Sequence, residues 1–360
     1  MQRRFAFLAL VSSLCCSTLA LADSVSAGIL LPLRTYENDY TMVQTYRHAK
    51  VPCTGGTVCA THGFLESIGT QGYSDANADV FLTGWRVTAK NGAVSTNELR
   101  VRLFKSGYDP IDRSLKWSAE LYLGSGSDFS VDYDFAVVTG TGYKLVSHEL
   151  ANSCTYDEST GACMNAAILT NARPSLTWDF LGFVIKGFAM RTTSGVPVEL
   201  GQVQLDGATH SSVFGYPLRR RQTMNCGFFG LNSQAEIEPF QCDMTSVGIA
   251  VNNAAGTWFE TNWSHRSKSF YYLAPAGTYA QTEDLFAPNY RGLLAGLSYF
   301  DLMFASGGVA PVESLSAGCF DPRYDSGYAR WDWEGSLFTS PREDFGAEIK
   351  CLSSRIGPEL

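Results

Sequence analysis

From Val80 to His148, apolar side chains recur at every second position, and no other feature restricts the fold of this chain as much. Leu99, Val101 and Leu103 alternate with Arg100 and Arg102. Trp117, Ala119, Leu121 and Leu123 alternate with Lys116, Ser118, Glu120 and Tyr122. Phe129, Val131, Tyr133, Phe135 and Val137 alternate with Ser130, Asp132, Asp134 and Ala136. A period of two sends the apolar members to one face of a pleated strand and the polar members to the other. Turn residues separate the runs at Asn91-Gly92, Asp109-Pro110 and Gly124-Ser125-Gly126. The stretch reads as antiparallel sheet with one wet face.

A second β-rich run, Leu176 to Arg191, closes at Ser194-Gly195 and continues through Val196–Leu205. It echoes the first: Phe81, Gly84 and Trp85 before a turn and Leu99, then Phe183, Gly187 and Phe188 before a turn and Leu200. The expected fold is mainly β, an antiparallel β-sandwich of jelly-roll or Ig-like type. Two tandem sandwiches stapled by disulfides are expected, residues 23–172 and residues 173–360. Ser26 to Leu33 reads as a short strand with Pro32 at its edge or end. Arg34 to Asp79 and the tail from Cys319 read as irregular, and the pattern loosens from Tyr216. Leu293 to Ala305 reads either as a buried helix of about three turns or as a buried strand pair.

The first residues fit an export signal. Arg3 and Arg4 precede an apolar run, Phe5 to Leu14, and Ala20-Leu21-Ala22 forms a small-x-small cleavage site. The run is too short for a spanning helix. Cleavage after residue 22 removes two of 27 Lys+Arg and no acid, leaving 25 against 35 Asp+Glu, a net charge near −10. Such a surface disfavours nucleic acid and polybasic attachment to anionic lipid. Cys15 and Cys16 leave with the signal. The other eight of the ten cysteines fall as near neighbours: Cys53/Cys59, Cys154/Cys163, Cys226/Cys242 and Cys319/Cys351. An even count behind an export signal implies disulfides in an oxidising compartment, and locality favours sequential pairing. Zinc needs tighter C-x2–4-C spacings with further ligands nearby.

Catalytic patterns are missing. The five histidines, His48, His62, His148, His210 and His265, form no H-E-x-x-H, and no serine sits in G-x-S-x-G. There is no P-loop and no dinucleotide-binding turn, so neither a nucleotide nor any cofactor is expected. Asp75-Ala-Asn77-Ala-Asp79 has the D-x-N-x-D opening of a calcium loop, but Val80 occupies the position that needs Gly, and a polar turn is the expected reading. In the tail, Asp321, Asp325, Asp332 and Glu334 interleave with Tyr324, Tyr328, Trp331 and Trp333. Aromatic planes beside carboxylates suit a sugar, so Trp331, Trp333, Asp325 and Asp332 are the candidate binding residues. No catalytic or metal-binding residue is assigned. Trp258, Trp263, Tyr271 and Tyr272 pose the same choice, and at strand spacing core packing is the commoner role.

The expected function is that of an exported, non-enzymatic β-sandwich protein, secreted, periplasmic or displayed at the cell surface. Its expected ligand is a glycan or a partner protein, as in adhesion. One alternative is a secreted glycan hydrolase or lyase using the C-terminal acids. Another is an outer-membrane β-barrel, which the short reach of the strong alternation disfavours.

Overall fold

The computed structural model describes residues 28–37, 41–65, 78–90, 96–109, 111–124, 128–140, 143–160, 163–169, 178–207, 210–213, 219–252, 268–275, 277–286, 293–304, 312–325, 328–339 and 344–355. The export signal, Asn91-Gly92, Asp75, Asn77, Trp258 and Trp263 lie outside them. Every regular element among the described residues is a strand, and every ladder is antiparallel.

Three sheets result. Sheet I runs β1 (Ile29–Glu37), β2 (Thr41–Cys53), β7 (Phe129–Gly140), β4 (Ala78–Ala89), β18 (Val312–Asp325), β19 (Tyr328–Thr339) and β16 (Gly277–Phe286). Sheet II runs β3 (Cys59–Leu65), β6 (Ser114–Leu123), β5 (Glu98–Asp109), β10 (Trp178–Thr192), β14 (Phe240–Asn252) and β8 (Tyr143–Thr155). Sheet III runs β12 (His210–Val213), β13 (Arg219–Leu231), β11 (Glu199–Asp206), β17 (Leu293–Phe304), β20 (Asp344–Arg355) and β15 (Lys268–Pro275), with β9 (Cys163–Leu169) also paired to β13. The fold is sandwich-like and mainly β. Strands on both sides of Ala172 share sheets I and II, so residues 23–172 and 173–360 are interleaved by backbone ladders.

The core lies where the three sheets face one another. Trp85 of sheet I, Phe188 of sheet II and Phe300 of sheet III form a triangle, with ring centroids 5.4, 5.3 and 5.2 Å apart. All three rings are fully buried. Such tilted and edge-on contacts suit the aromatic quadrupole. Close approach of sheets II and III depends on Gly296, where a β-carbon would overlap Val184.

The disulfides form in the sequential pairing, and each joins two different sheets. Cys53–Cys59 links sheets I and II, Cys319–Cys351 links I and III, and Cys154–Cys163 and Cys226–Cys242 both link II and III. Every seam is therefore covalently closed. Loops of this size restrict the unfolded chain by roughly 2–4 kcal/mol each on the chain-entropy estimate. Four disulfides fit an oxidising, exported environment.

Several expectations need correction. Most of the described part of Arg34–Asp79 is strand, in β1, β2 and β3. Its polarity reflects position: β1 and β3 are sheet edges, and Lys50 (φ 55°) interrupts the β2 register between His48 and Val51. Pro32 stands on edge strand β1 beside a register shift, where a missing N–H costs no ladder bond. The region after Tyr216 holds the long strands β13 and β14. The tail is also strand, and Pro322 falls in the register shift between Phe320 and Arg323, which hides the period. Leu293–Phe304 is neither a helix nor a strand pair but the single strand β17, buried from Gly296 to Leu302 on both faces.

Candidate functional site

Three polar assemblies stand out among the described residues. The first is buried. Lys186 lies in a run that is otherwise apolar and buried, Gly182 to Met190, at a register shift of β10 between Ile185 and Gly187. Its Nζ donates to Asp79 Oδ1 of sheet I at 2.8 Å and to Glu149 Oε1 of β8 at 2.6 Å. The Lys186 side chain is 1% exposed, that of Asp79 3% and that of Glu149 46%. Burial works against the charge on Lys186, but the two carboxylates outweigh it and hold the ammonium above its ordinary range. Asp79 Oδ1 also accepts the Val80 N–H at 2.7 Å. Asp79 thus serves an ion pair across the I/II seam.

The second assembly is a one-way hydrogen-bond chain near the Cys53–Cys59 end of that seam. Tyr133 Oη lies 2.7 Å from Thr61 Oγ1 and 2.6 Å from His48 Nδ1. His48 also bonds the backbone of Gly28, and burial holds its ring below the ordinary histidine range. The arrangement that satisfies every group has Thr61 donating to the Tyr133 oxygen, Tyr133 donating to a neutral His48, and Nε2–H donating to Gly28. Beside it, Arg47 forks onto Asp134 at 2.8 and 2.7 Å. Burial still pushes the Asp134 carboxyl up to about 6.

The third assembly lies on the face of sheet III turned away from the core, where Tyr299 and Asp301 are buried and Gln202, Gln204, Glu348 and Lys350 are half-buried. In sheet III, Val203, Leu205, Phe300, Leu302, Ala347 and Ile349 turn to the core, so alternation sends Gln202, Gln204, Tyr299, Asp301, Glu348 and Lys350 to the other face. Gln204 stands opposite Asp301, Asp301 opposite Glu348, and Tyr299 opposite Lys350. Gln202 Nε2 donates to Asp301 Oδ1 at 2.9 Å and Gln204 Nε2 to the Tyr299 hydroxyl at 3.2 Å. That hydroxyl donates to Glu348 Oε2 at 3.2 Å. Lys350 Nζ sits 4.1 Å from the Tyr299 ring centroid and 3.3 Å from Glu348. Burial first, then the facing Glu348, raise the Asp301 carboxyl. Gly227 flanks the two glutamines, and a β-carbon there would stand 3.2 Å from Gln204 Oε1. The result is a planar array of amides, carboxyls and a phenol spread over three strands.

The outer face of sheet II differs in kind. There Arg100 contacts Glu98 at 2.6 Å, and Arg102 and Arg191 contact Asp243 at 3.6 and 2.8 Å, so opposite charges neutralise one another. An open recess of about 630 Å³ lies beside the β5–β6 turn, but Asp109 and Asp112 in its wall each accept a turn N–H.

Of the residues singled out in the sequence, Trp331, Asp332 and Trp333 lie on β19, and Asp325 pairs with Tyr328 at the β18–β19 hairpin. Trp333 is the register partner of Cys319 and Asp332 that of Phe320. The side chains of Trp331, Asp332 and Trp333, like that of Asp325, lie outside the described residues. The residues that the sequence reading passed over are Lys186, Asp301 and Glu348. Lys186 and Asp301 each carried a signal, a lone charge inside a long apolar run.

No family model and no curated protein matches this chain. Among solved structures, it is similar to a chain described as "Cucumber Leaf Spot Virus" at 10% identity, over 70% of this chain and 99% of that one, with a TM-score of 0.16. A chain described as "Structure of infectious bursal disease virus Gx strain" matches at 8% identity over 93% of this chain and 83% of that one, with a TM-score of 0.12. Likeness at this level carries no argument. No helix among the described residues is long and apolar enough to cross a membrane.

Proposed function

We propose that the protein is an exported, non-enzymatic β scaffold that binds a glycan on the outer face of sheet III. The observation that carries the reading is the register of Gln204, Asp301 and Glu348 on adjacent strands, with Gln204 and Glu348 half-buried on either side of the buried Asp301. Amides and carboxyls held in one plane donate to and accept from neighbouring sugar hydroxyls, and the glycine at 227 keeps the adjoining strand low. The stapled seams support the reading from another side. A flat site needs a rigid backing, because ordering cost subtracts directly from affinity. Secretion, a periplasmic address or surface display, with adhesion as the role, belongs to the same proposal.

One observation favours a second reading, a glycan hydrolase. Asp301 and Glu348 are direct cross-strand partners, and Asp301 is held toward its neutral form. Glycoside hydrolysis uses a pair of carboxyls of which one holds its proton more tightly than the other, and burial raises Asp301 in that direction.

Both readings meet in one experiment. The oxidised protein is titrated against an oligosaccharide panel by calorimetry, and each mixture is assayed for new reducing ends. Binding that Gln204→Ala and Asp301→Asn weaken at least tenfold, with no new reducing ends, supports the binding module. Release of reducing ends that Glu348→Gln abolishes selects the hydrolase. Sugar binding unaffected by all three substitutions overturns the assignment to this face.

A further inference from the structure

The seam between sheets II and III is the one closed twice, and the two disulfides lie together. Cys154 and Cys242 are register partners within sheet II, and Cys163 and Cys226 are register partners within sheet III. The Sγ atoms of Cys163, Cys226 and Cys242 all lie within 4.8 Å of one another, and each of these cysteines is buried. Directly opposed residues of an antiparallel pair have Cα atoms about 4.5–5.5 Å apart, inside the roughly 4.4–6.8 Å that a disulfide spans. The same four sulfurs therefore admit two pairings. In the observed pairing both bonds cross from sheet II to sheet III. In the other, Cys154–Cys242 lies wholly in sheet II and Cys163–Cys226 wholly in sheet III.

We propose that this cysteine tetrad is a thiol–disulfide exchange site at which an external thiol converts the inter-sheet pairing to the intra-sheet pairing and unstaples the seam. The exchange closes without net oxidation or reduction. A thiolate RS⁻ attacks Cys154 Sγ, the tetrad sulfur bonded to Cys163 and, at 7% residue exposure, the most accessible of the four. The R–S–Cys154 bond forms, the Cys154–Cys163 bond breaks, and Cys163 leaves as thiolate. Cys163 then attacks Cys226 Sγ, forming Cys163–Cys226 and releasing the Cys242 thiolate. Cys242 attacks Cys154 Sγ, forming Cys154–Cys242 and regenerating RS⁻. Each step needs only an adjacent thiolate and disulfide. The tetrad supplies both, because three of its sulfurs already converge. The Cys53–Cys59 and Cys319–Cys351 bonds have no second pair beside them among the register partners of their strands.

The sequence provides a clean readout. Cys154 and Cys163 lie on one tryptic fragment, 145–186, because Arg173 precedes Pro174, and Cys226 and Cys242 lie together on 222–266. The observed pairing therefore yields two separate fragments, each with an internal bond, whereas the exchanged pairing yields one cross-linked species of their summed mass. Full-length protein is incubated with a catalytic amount of glutathione, quenched with acid and alkylated. It is then digested without reduction and analysed by mass spectrometry. The expected result is the cross-linked species at the expense of the separate fragments, with Cys53–Cys59 and Cys319–Cys351 unchanged. A Cys154→Ser variant needs no added thiol, since Cys163 is then free beside Cys226–Cys242, and alkylation is expected at Cys242 as well as Cys163. Fragments that stay separate, together with Cys154→Ser protein alkylated at Cys163 alone, would overturn the proposal. So would linkage of these fragments to Cys319 or Cys351 to an equal extent, which marks general scrambling.

Discussion

Lys186→Met removes the ammonium that faces Asp79 and keeps most of the side-chain volume. The wild-type partners are 2.8 Å apart with side-chain exposures of 1% and 3%, so the substitution leaves a buried carboxylate with the Val80 N–H as its one hydrogen-bond donor among the described residues. Breaking one side of such a pair costs about 3–5 kcal/mol. Glu149 adds little, because its side chain is 46% exposed, and Glu149→Gln should cost no more than about 1 kcal/mol. The double variant Lys186→Met with Asp79→Leu removes both charges and should recover all but about 1 kcal/mol. Guanidinium denaturation of the oxidised protein, followed by tryptophan fluorescence, measures all three. With a slope of about 4–6 kcal/mol per molar for a chain of this size, the single variant lowers the midpoint by about 0.5–1 M. The direction of the Lys186 shift adds a pH arm. Its folded value lies above the unfolded one, so the stabilisation is complete below about pH 10.4 and is lost as pH rises through the folded value. A single variant costing under about 1 kcal/mol, or a double variant as damaged as the single, would refute the ion-pair reasoning.

Three further outcomes follow from the same kind of accounting. His48 is neutral in the fold and held below its unfolded value, so acidification below about pH 6.5 must destabilise the protein as the unfolded chain takes up the proton first. Tyr133→Phe, which strands His48 Nδ1, should cost about 1–3 kcal/mol at neutral pH; a pH-stability curve of His48→Gln with the same acid limb as wild type would count against this. Trp85→Ala opens the centre where the three sheets meet and should cost about 3–5 kcal/mol by thermal or chemical denaturation. A loss within the range of a surface change would mean that Phe188 and Phe300 do not rest on it.

Legibility in the sequence tracked burial geometry. Strands β5 and β6 alternate buried and half-buried positions along most of their length, and the period-two reading follows them residue for residue. In β7 the alternation holds from Phe129 to Asp132, then fails because Tyr133 to Gly140 is buried on both faces. The same double burial covers Ala78–Trp85 and Gly182–Met190. A strand covered on both sides loses its polar register and reads as a bare apolar run. That is why Leu293–Ala305 reads either as a helix or as a strand pair, and why Lys186 and Asp301 stand as single charges inside such runs. Gln202 and Gln204 alternate with Val203 and Leu205 and were legible as a wet face. Their meeting with Asp301 and Glu348 was not, since it depends on β11 pairing with a strand about a hundred residues further along. The cysteine pairs were legible because each is local, from 6 residues apart at Cys53–Cys59 to 32 at Cys319–Cys351. Their crossing from sheet to sheet was not.

That crossing explains how a chain with interleaved sheets keeps one arrangement. Sheets I and II each draw strands from both halves of the sequence, so their pairings close long loops and are won late, against a large entropy cost. The disulfide loops, in contrast, are short and turn at sheet edges or sheet-to-sheet corners, where neighbouring strands in sequence part company. Cys53–Cys59 holds the corner between β2 and β3, and Cys226–Cys242 the corner between β13 and β14. At these corners a local bond fixes which two sheets the successive strands belong to. The long-range order of the fold thus rests on short-range chemistry. At the corner where β8 and β9 meet β13 and β14, two such bonds stand side by side. The seam that is doubly secured against heat is for that reason the one whose cross-links a thiol can rearrange.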